Sequence, residues 1–225
     1  MPKWLMAVLG AVGAVGVAVA GLVAAQPADF SIERSEIIAA RPEVVFAEVQ
    51  DFRRWQAWSP WMAMDPKAVN TYEGEPGVGH ANAWKGEQTG VGKQVITESV
   101  APSEIGMDLT FIEPFEAHNR VKFTFTPEPT GTKVVWTMTG TNDFFGKAFF
   151  LFSGSKAVGD DFERGLASLK GVAEKAEAAR READAAAAAA AAAASTEDAV
   201  AAGEAGAGSG EGSAAAPATG APSAP

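Results

Sequence analysis

The sequence predicts an α+β fold: a curved antiparallel sheet of about seven strands, two short helices and one long C-terminal helix enclosing a cavity, and an apolar helix ahead of them. Three observations predict it. Strand-like segments separated by turn residues recur through the middle of the chain at a pitch of roughly 12–15 residues, the pattern of an antiparallel meander. Near the end, Phe162, Leu166, Leu169 and Ala173 form one apolar stripe at helical spacing, which must cover something. At the start, Trp4 to Ala25 contains no charged residue.

The charge-free segment is 22 residues long, preceded by Lys3 and followed, after Gln26-Pro27-Ala28, by Asp29. A spanning helix needs about 20 apolar residues, and a signal-peptide core is about 7–15. Length therefore favours a retained single-pass anchor over a cleaved signal, although Val23-Ala24-Ala25 offers a small-residue cleavage site. A short flank before a long domain favours a cytoplasmic N-terminus, with the domain outside the cytoplasm in a bacterial inner membrane and periplasm. Secretion after cleavage and a cytoplasm-facing domain are the alternatives.

Phe30–Ala39 alternates apolar and polar residues and reads as the first strand. Pro42 then opens a short helix with Val45, Phe46 and Val49 on one side. Asp51 breaks that pattern, and Phe52, Trp55 and Trp58 recur every three residues before Pro60. Three of the six tryptophans fall between Trp55 and Trp61, a density that covers an apolar interior. Six further strands are expected at Val69–Tyr72, Gly79–Trp84, Lys93–Val100, Ile105–Ile112, Val121–Thr126 and Val134–Gly140. Their breakers are Gly74/Pro76/Gly77, Gly86/Gly90, Ala101-Pro102-Ser103, Pro114 and Pro127–Gly131. The aromatic run Phe144–Phe152 is expected to pack in the core ahead of the last helix, with a hydrophobic gate to the cavity or a membrane-touching patch near the anchor as the alternatives.

The domain is expected over residues 29–174, behind an anchor or signal at 1–28 and before an extension at 175–225. From Ala173 large apolar residues disappear. Residues 174–194 are strong helix formers and should prolong the helix, while the Ala-, Gly-, Ser- and Pro-rich stretch after Ser195 is expected to be disordered.

Composition excludes several activities. Residues 31–170 carry 14 basic and 19 acidic residues, so no basic stripe is available for nucleic acid. With no cysteine and only two histidines there is no thiol nucleophile and no thiolate or histidine-rich metal site, and neither metal nor cofactor is expected. No phosphate-binding glycine loop or nucleophile elbow appears.

The ordered motifs resemble a known family. Ile-Ile-Ala-Ala-Arg-Pro-Glu-Val-Val-Phe (37–46), Asp-Phe-Arg-Arg-Trp-Gln-Ala-Trp-Ser-Pro-Trp (51–61), Gly77-Val-Gly79, Trp84-Lys-Gly86, Ile96-Thr-Glu-Ser99, Pro114-Phe-Glu116 and Gly131-Thr-Lys-Val134 are similar to the polyketide cyclase/dehydrase-type branch of the SRPBCC (START-like, helix-grip) superfamily. That resemblance implies an inner sheet surface under the long helix, with the Trp84 and Ile96 faces turned inward. Strand parity then adds Met107, Leu109, Phe111, Phe123, Phe125, Trp136 and Met138 as cavity lining, and Phe149 of the aromatic run is expected among the cavity residues with them. It also places a polar quartet, His80, Asn82, Gln94 and Glu98, on the same surface.

Buried polar groups are costly unless paired, so these four are expected to bond one another, water or a ligand, or else to lie solvated at the rim. His80 beside Glu98 is the candidate acid/base pair. His118 is expected in a solvated turn. The expected function is a membrane-anchored protein holding a hydrophobic or amphipathic small molecule or lipid without catalysis. The alternatives are a cyclase/dehydratase-like enzyme using the polar cavity residues, and a non-catalytic interaction or stress-related module whose own side chains fill the interior.

Overall fold

The computed structural model describes residues 2–207; the remainder of the expected disordered tail lies outside the described residues. Helix α1 spans Lys3–Ala24 and is long and apolar enough to cross a membrane. After it come β1 (Asp29–Ile38), α2 (Pro42–Gln50), a 3-10 turn (Arg54–Ala57) and α3 (Pro60–Met64). Pro42 and Pro60 each occupy the first turn of a helix, where a missing N–H costs nothing. The meander follows as β2 (Val69–Glu73), β3 (Ala81–Gly86), β4 (Gly90–Val100), β5 (Glu104–Glu113), β6 (Ala117–Glu128) and β7 (Gly131–Thr141). Next are α4 (Phe144–Phe149), a π-helical turn (Phe150–Gly154) and α5 (Ser155–Ala207).

The seven strands form one antiparallel sheet in the order β1-β7-β6-β5-β4-β3-β2. Sequence neighbours pair throughout, except that β1 closes against β7. This is the helix-grip arrangement. The concave face is laid out in cross-strand rows. Ile96, Met107, Val121, Met138 and Ile32 form one row, and Ile105, Phe123 and Trp136 the next. All eight are buried, and the α5 stripe Phe162, Leu166, Leu169 and Ala173 is buried with them. The Trp136 and Phe162 rings stack at 4.1 Å and 10°, joining sheet to helix.

Phe52, Trp55 and Trp58 close the other side of this core. Trp55 Nε1 donates to the Val49 carbonyl at 2.9 Å and Trp58 Nε1 to the Glu48 carbonyl at 3.2 Å. The indoles are thereby tied to the last turn of α2 and oriented edge-on to Phe123 and Trp136. Polar staples hold α5 in place: the Ala39 N–H donates to Glu174, and Arg41 pairs with the buried Glu177.

Two expectations are corrected by the backbone. Helix α5 continues past Ser195 to Ala207, because Ala and Glu, both strong helix formers, dominate that stretch. Its residues up to Ala178 belong to the folded unit, and those from Ala179 form a second unit. The run Phe144–Phe152 is not core. Phe144, Phe145, Phe149 and Phe152 are all exposed, and the ring that packs inward is Phe150, 4.4 Å from Phe30. Aromatic residues at adjacent positions point all round a helix, and a single neighbour can cover only one side of it.

Candidate functional site

The inner face near β3 and β4 is built from alternating residues. Asn82 sits opposite Gln94, which sits opposite Leu109; Trp84 sits opposite Gly92, which sits opposite Phe111. Trp84 needs glycine there, since a Cβ on Gly92 would come within 2.3 Å of its ring. The indole lies across that gap, its Nε1 donating to the Thr89 carbonyl at 3.2 Å and its ring meeting Phe111 edge-on at 5.9 Å. Trp84, Leu109 and Phe111 are only half-buried, whereas Ile96, Met107, Phe123, Phe125, Trp136 and Met138 are buried in the aromatic and aliphatic core. The concave face therefore has a closed half beneath α5 and a partly uncovered half at the β3–β4 and β5–β6 turns.

Three of the polar quartet face inward. Asn82 Nδ2 donates to Asn70 Oδ1 at 3.2 Å and to the Thr71 and Ala83 carbonyls at 3.3 Å, while Gln94 Nε2 donates to Asn82 Oδ1 at 3.4 Å. His80 is fully buried just ahead of β3, stacked on Phe52 at 5.1 Å. Its Nδ1 lies 2.9 Å from the Glu73 carbonyl and 3.2 Å from that of Gly74; both are acceptors, so Nδ1 carries the hydrogen. Nε2 lies 3.3 Å from Asp51 Oδ1 without hydrogen-bond alignment.

Glu98 is the correction. The β4–β5 register slips between Ile96 and Glu98, so Thr97 is the extra residue of a bulge and Glu98 faces Gly106 on the outer, exposed side. The expected His80–Glu98 acid/base pair is not assembled; the carboxylate near His80 is Asp51, which sequence reasoning noted only as a break in an apolar pattern. Phe149 is corrected too, since it is exposed rather than set in the interior. His118 lies within β6, not in a turn, exposed and 3.2 Å from Glu116. Among the described residues no cluster of His, Cys, Asp or Glu has the arrangement to hold a metal ion.

A separate cleft of about 210 Å³ opens where the 3-10 turn and α3 meet α5, lined by Gln56, Trp58, Pro60, Ala63, Arg164 and Ser168. Its volume is below the roughly 300 Å³ at which pockets for drug-sized ligands begin.

Asp65, just after α3, fixes the β3–β4 turn that carries Trp84. Its Oδ2 accepts from the Gln88 N–H at 2.8 Å, the Thr89 N–H at 3.2 Å and the Thr89 hydroxyl at 3.3 Å. These bonds, that from Gln88 foremost, hold its carboxyl below the usual 3.8. A carboxylate favoured in the folded chain stabilises it above the ordinary pKa, and the contribution vanishes as pH falls through the lower folded value. Asp65→Asn is therefore expected to flatten the loss of stability as the pH falls below about 5 in urea titrations. An unchanged slope would show that the turn is held by other groups.

Residues 29–174 match the family described as polyketide cyclase / dehydrase and lipid transport. Among curated proteins none matches the chain. Two examples from among the many solved structures that match illustrate the shared fold. A protein of unknown function from Staphylococcus aureus is 14% identical with a TM-score of 0.51, covering 66% of this chain and 95% of its own. Ara h 8.0201 is 12% identical with a TM-score of 0.50, covering 64% of this chain and 97% of its own. The meander, its closing helices and the family match over 29–174 agree, and the chain belongs to the polyketide cyclase/dehydrase and lipid transport family of the SRPBCC superfamily.

Proposed function

We propose that this protein is a membrane-anchored, non-catalytic binder that holds a small hydrophobic or amphipathic molecule at the open half of its concave face. One observation carries the reading: Trp84, Leu109 and Phe111 line the inner surface yet are only half-buried, while the rows beside them are sealed. Large apolar groups left partly uncovered on a concave surface, with an amide pair at their edge, have the composition of a ligand site. Asn82 and Gln94 supply that polar edge. The reading against catalysis rests on His80, which is engaged by backbone carbonyls, and on Glu98, which faces the other side of the sheet. Helix α1 supplies the anchor, and the family's description includes lipid transport.

The test is native mass spectrometry of the full chain purified from membranes in mild detergent. A co-purifying small molecule is expected, lost in Phe111→Lys and Leu109→Lys and retained in Thr130→Lys at the far end of the sheet. Retention in all three variants would rule out this site. Absence of any bound molecule from the parent chain would favour the interaction module instead, a reading supported by the packing of Trp55, Trp58, Phe123, Trp136 and Phe162 against one another.

A further inference from the structure

We propose that the end of the sheet nearest α1 docks onto the bilayer that α1 spans, through the exposed rings of Phe144, Phe145, Phe149, Phe152 and Phe115. The proposal rests on reading α1 as a retained anchor.

Strand register brings these rings to one end. Asp29, the first residue of β1, pairs with Thr141, the last of β7; Gly140 pairs with Asn119 near the start of β6; and Ala117 pairs with Phe111 near the end of β5. The α1–β1 junction, α4 with its π-helical turn, and the β5–β6 turn therefore share an end of the sheet. Phe145, Phe152 and Phe115 are 73%, 69% and 74% exposed, a degree that large rings rarely reach together without a partner. Among the described residues, every exposed phenylalanine lies at this end.

The tether selects the occupant. From Ala24, where α1 stops, to Asp29, where β1 begins, there are five peptide steps of at most about 3.6 Å each, so the sheet starts within about 18 Å of the end of the span. Helix α1 also touches α4 directly. A bilayer around α1 is then within reach of the phenylalanines whether or not another protein is present. Their charged neighbours are mainly acidic, Asp29, Glu113, Glu116 and Asp143 against Lys147 and Lys156, the last of which pairs with Asp160, so the fitting surface is zwitterionic rather than anionic lipid. Trp84 and Phe111 lie at this same end, and docking would set the half-open rows toward the lipid, giving a hydrophobic molecule a route that avoids water.

The chain contains no cysteine, so single cysteines can be introduced cleanly. The full chain carrying Val12→Cys, Phe145→Cys, Phe115→Cys or Thr130→Cys is labelled with an environment-sensitive fluorophore and reconstituted into phosphatidylcholine vesicles containing a spin-labelled phosphatidylcholine quencher. Labels at 12, 145 and 115 are expected to emit at shorter wavelength and lose most of their intensity, and the label at 130 to behave as in water. If 12 is quenched while 145 and 115 match 130, the docking proposal fails and the anchor stands. If 12 also behaves as in water, the anchor reading fails with it. Labels at 145 and 115 that are shielded but not quenched would indicate a second copy of the chain on this surface, and would overturn the bilayer as occupant.

Discussion

Trp136→Ala is expected to destabilise the domain by about 3–5 kcal/mol, the usual cost of truncating a buried large aromatic. Trp136 is 1% exposed and is the ring on which three elements converge. It stacks on Phe162 of α5 at 4.1 Å, meets Trp61 of α3 at 5.6 Å and Trp58 at 5.8 Å, and lies against Phe123 of its own sheet at 4.7 Å. Gly165 of α5 approaches so closely that a Cβ there would come within 2.8 Å of the indole, so the helix backbone lies directly against the ring. For a domain of this size the loss corresponds to a melting temperature lowered by roughly 10 °C. A double-mutant cycle with Phe162→Ala should return a coupling of about 0.5–1.5 kcal/mol for the stacked pair. A loss below about 1 kcal/mol for Trp136→Ala would mean that the interior collapses readily or already contains free space. Free space there would favour the carrier reading over a filled interior.

Much of the architecture was legible because it is written in periodicity. The Phe162, Leu166, Leu169, Ala173 stripe, Pro42 at a helix start and Trp55 and Trp58 over an apolar interior are local patterns that tertiary structure left intact. Periodicity finds every strand but not its ends: β3 starts and stops two residues beyond the expected Gly79–Trp84, and β6 extends from Ala117 to Glu128 because its polar start carries no alternation to betray it. The site was harder. Parity put Glu98 beside His80, and a single extra residue at Thr97 sent it to the opposite face; nothing in Ile-Thr-Glu-Ser distinguishes a bulged strand from a regular one. Asp51 became the neighbour of His80 only through a contact across 29 positions of sequence. The phenylalanines of 144–152 look like core by composition. Whether such rings are buried depends on what lies opposite them, and no local pattern encodes that.

Gly131→Ala is the second large effect, and it reaches α5 through the backbone. Gly131 begins β7 with φ at +147°, in a region that favours glycine. An added Cβ would lie 2.0 Å from the Ile38 carbonyl oxygen and 2.8 Å from the Ala39 Cα, both backbone atoms. Backbone strain alone costs about 1–3 kcal/mol, and the clash adds to it because the neighbours are fixed. Ile38 pairs with Thr132, the Thr132 hydroxyl donates to the Ala40 carbonyl at 2.7 Å, and the Ala40 N–H donates back to Ile38 at 2.8 Å. Relief requires moving the Ile38–Arg41 corner outward. That corner carries the Ala39 N–H bonded to Glu174 and the Arg41 side chain paired with Glu177, so the displacement loosens the last domain turns of α5. Amide hydrogen exchange should therefore rise at residues 166–178 of α5 as well as at the β6–β7 turn, with a lowered urea midpoint. Faster exchange confined to the turn would show that the corner absorbs the strain without passing it to the helix.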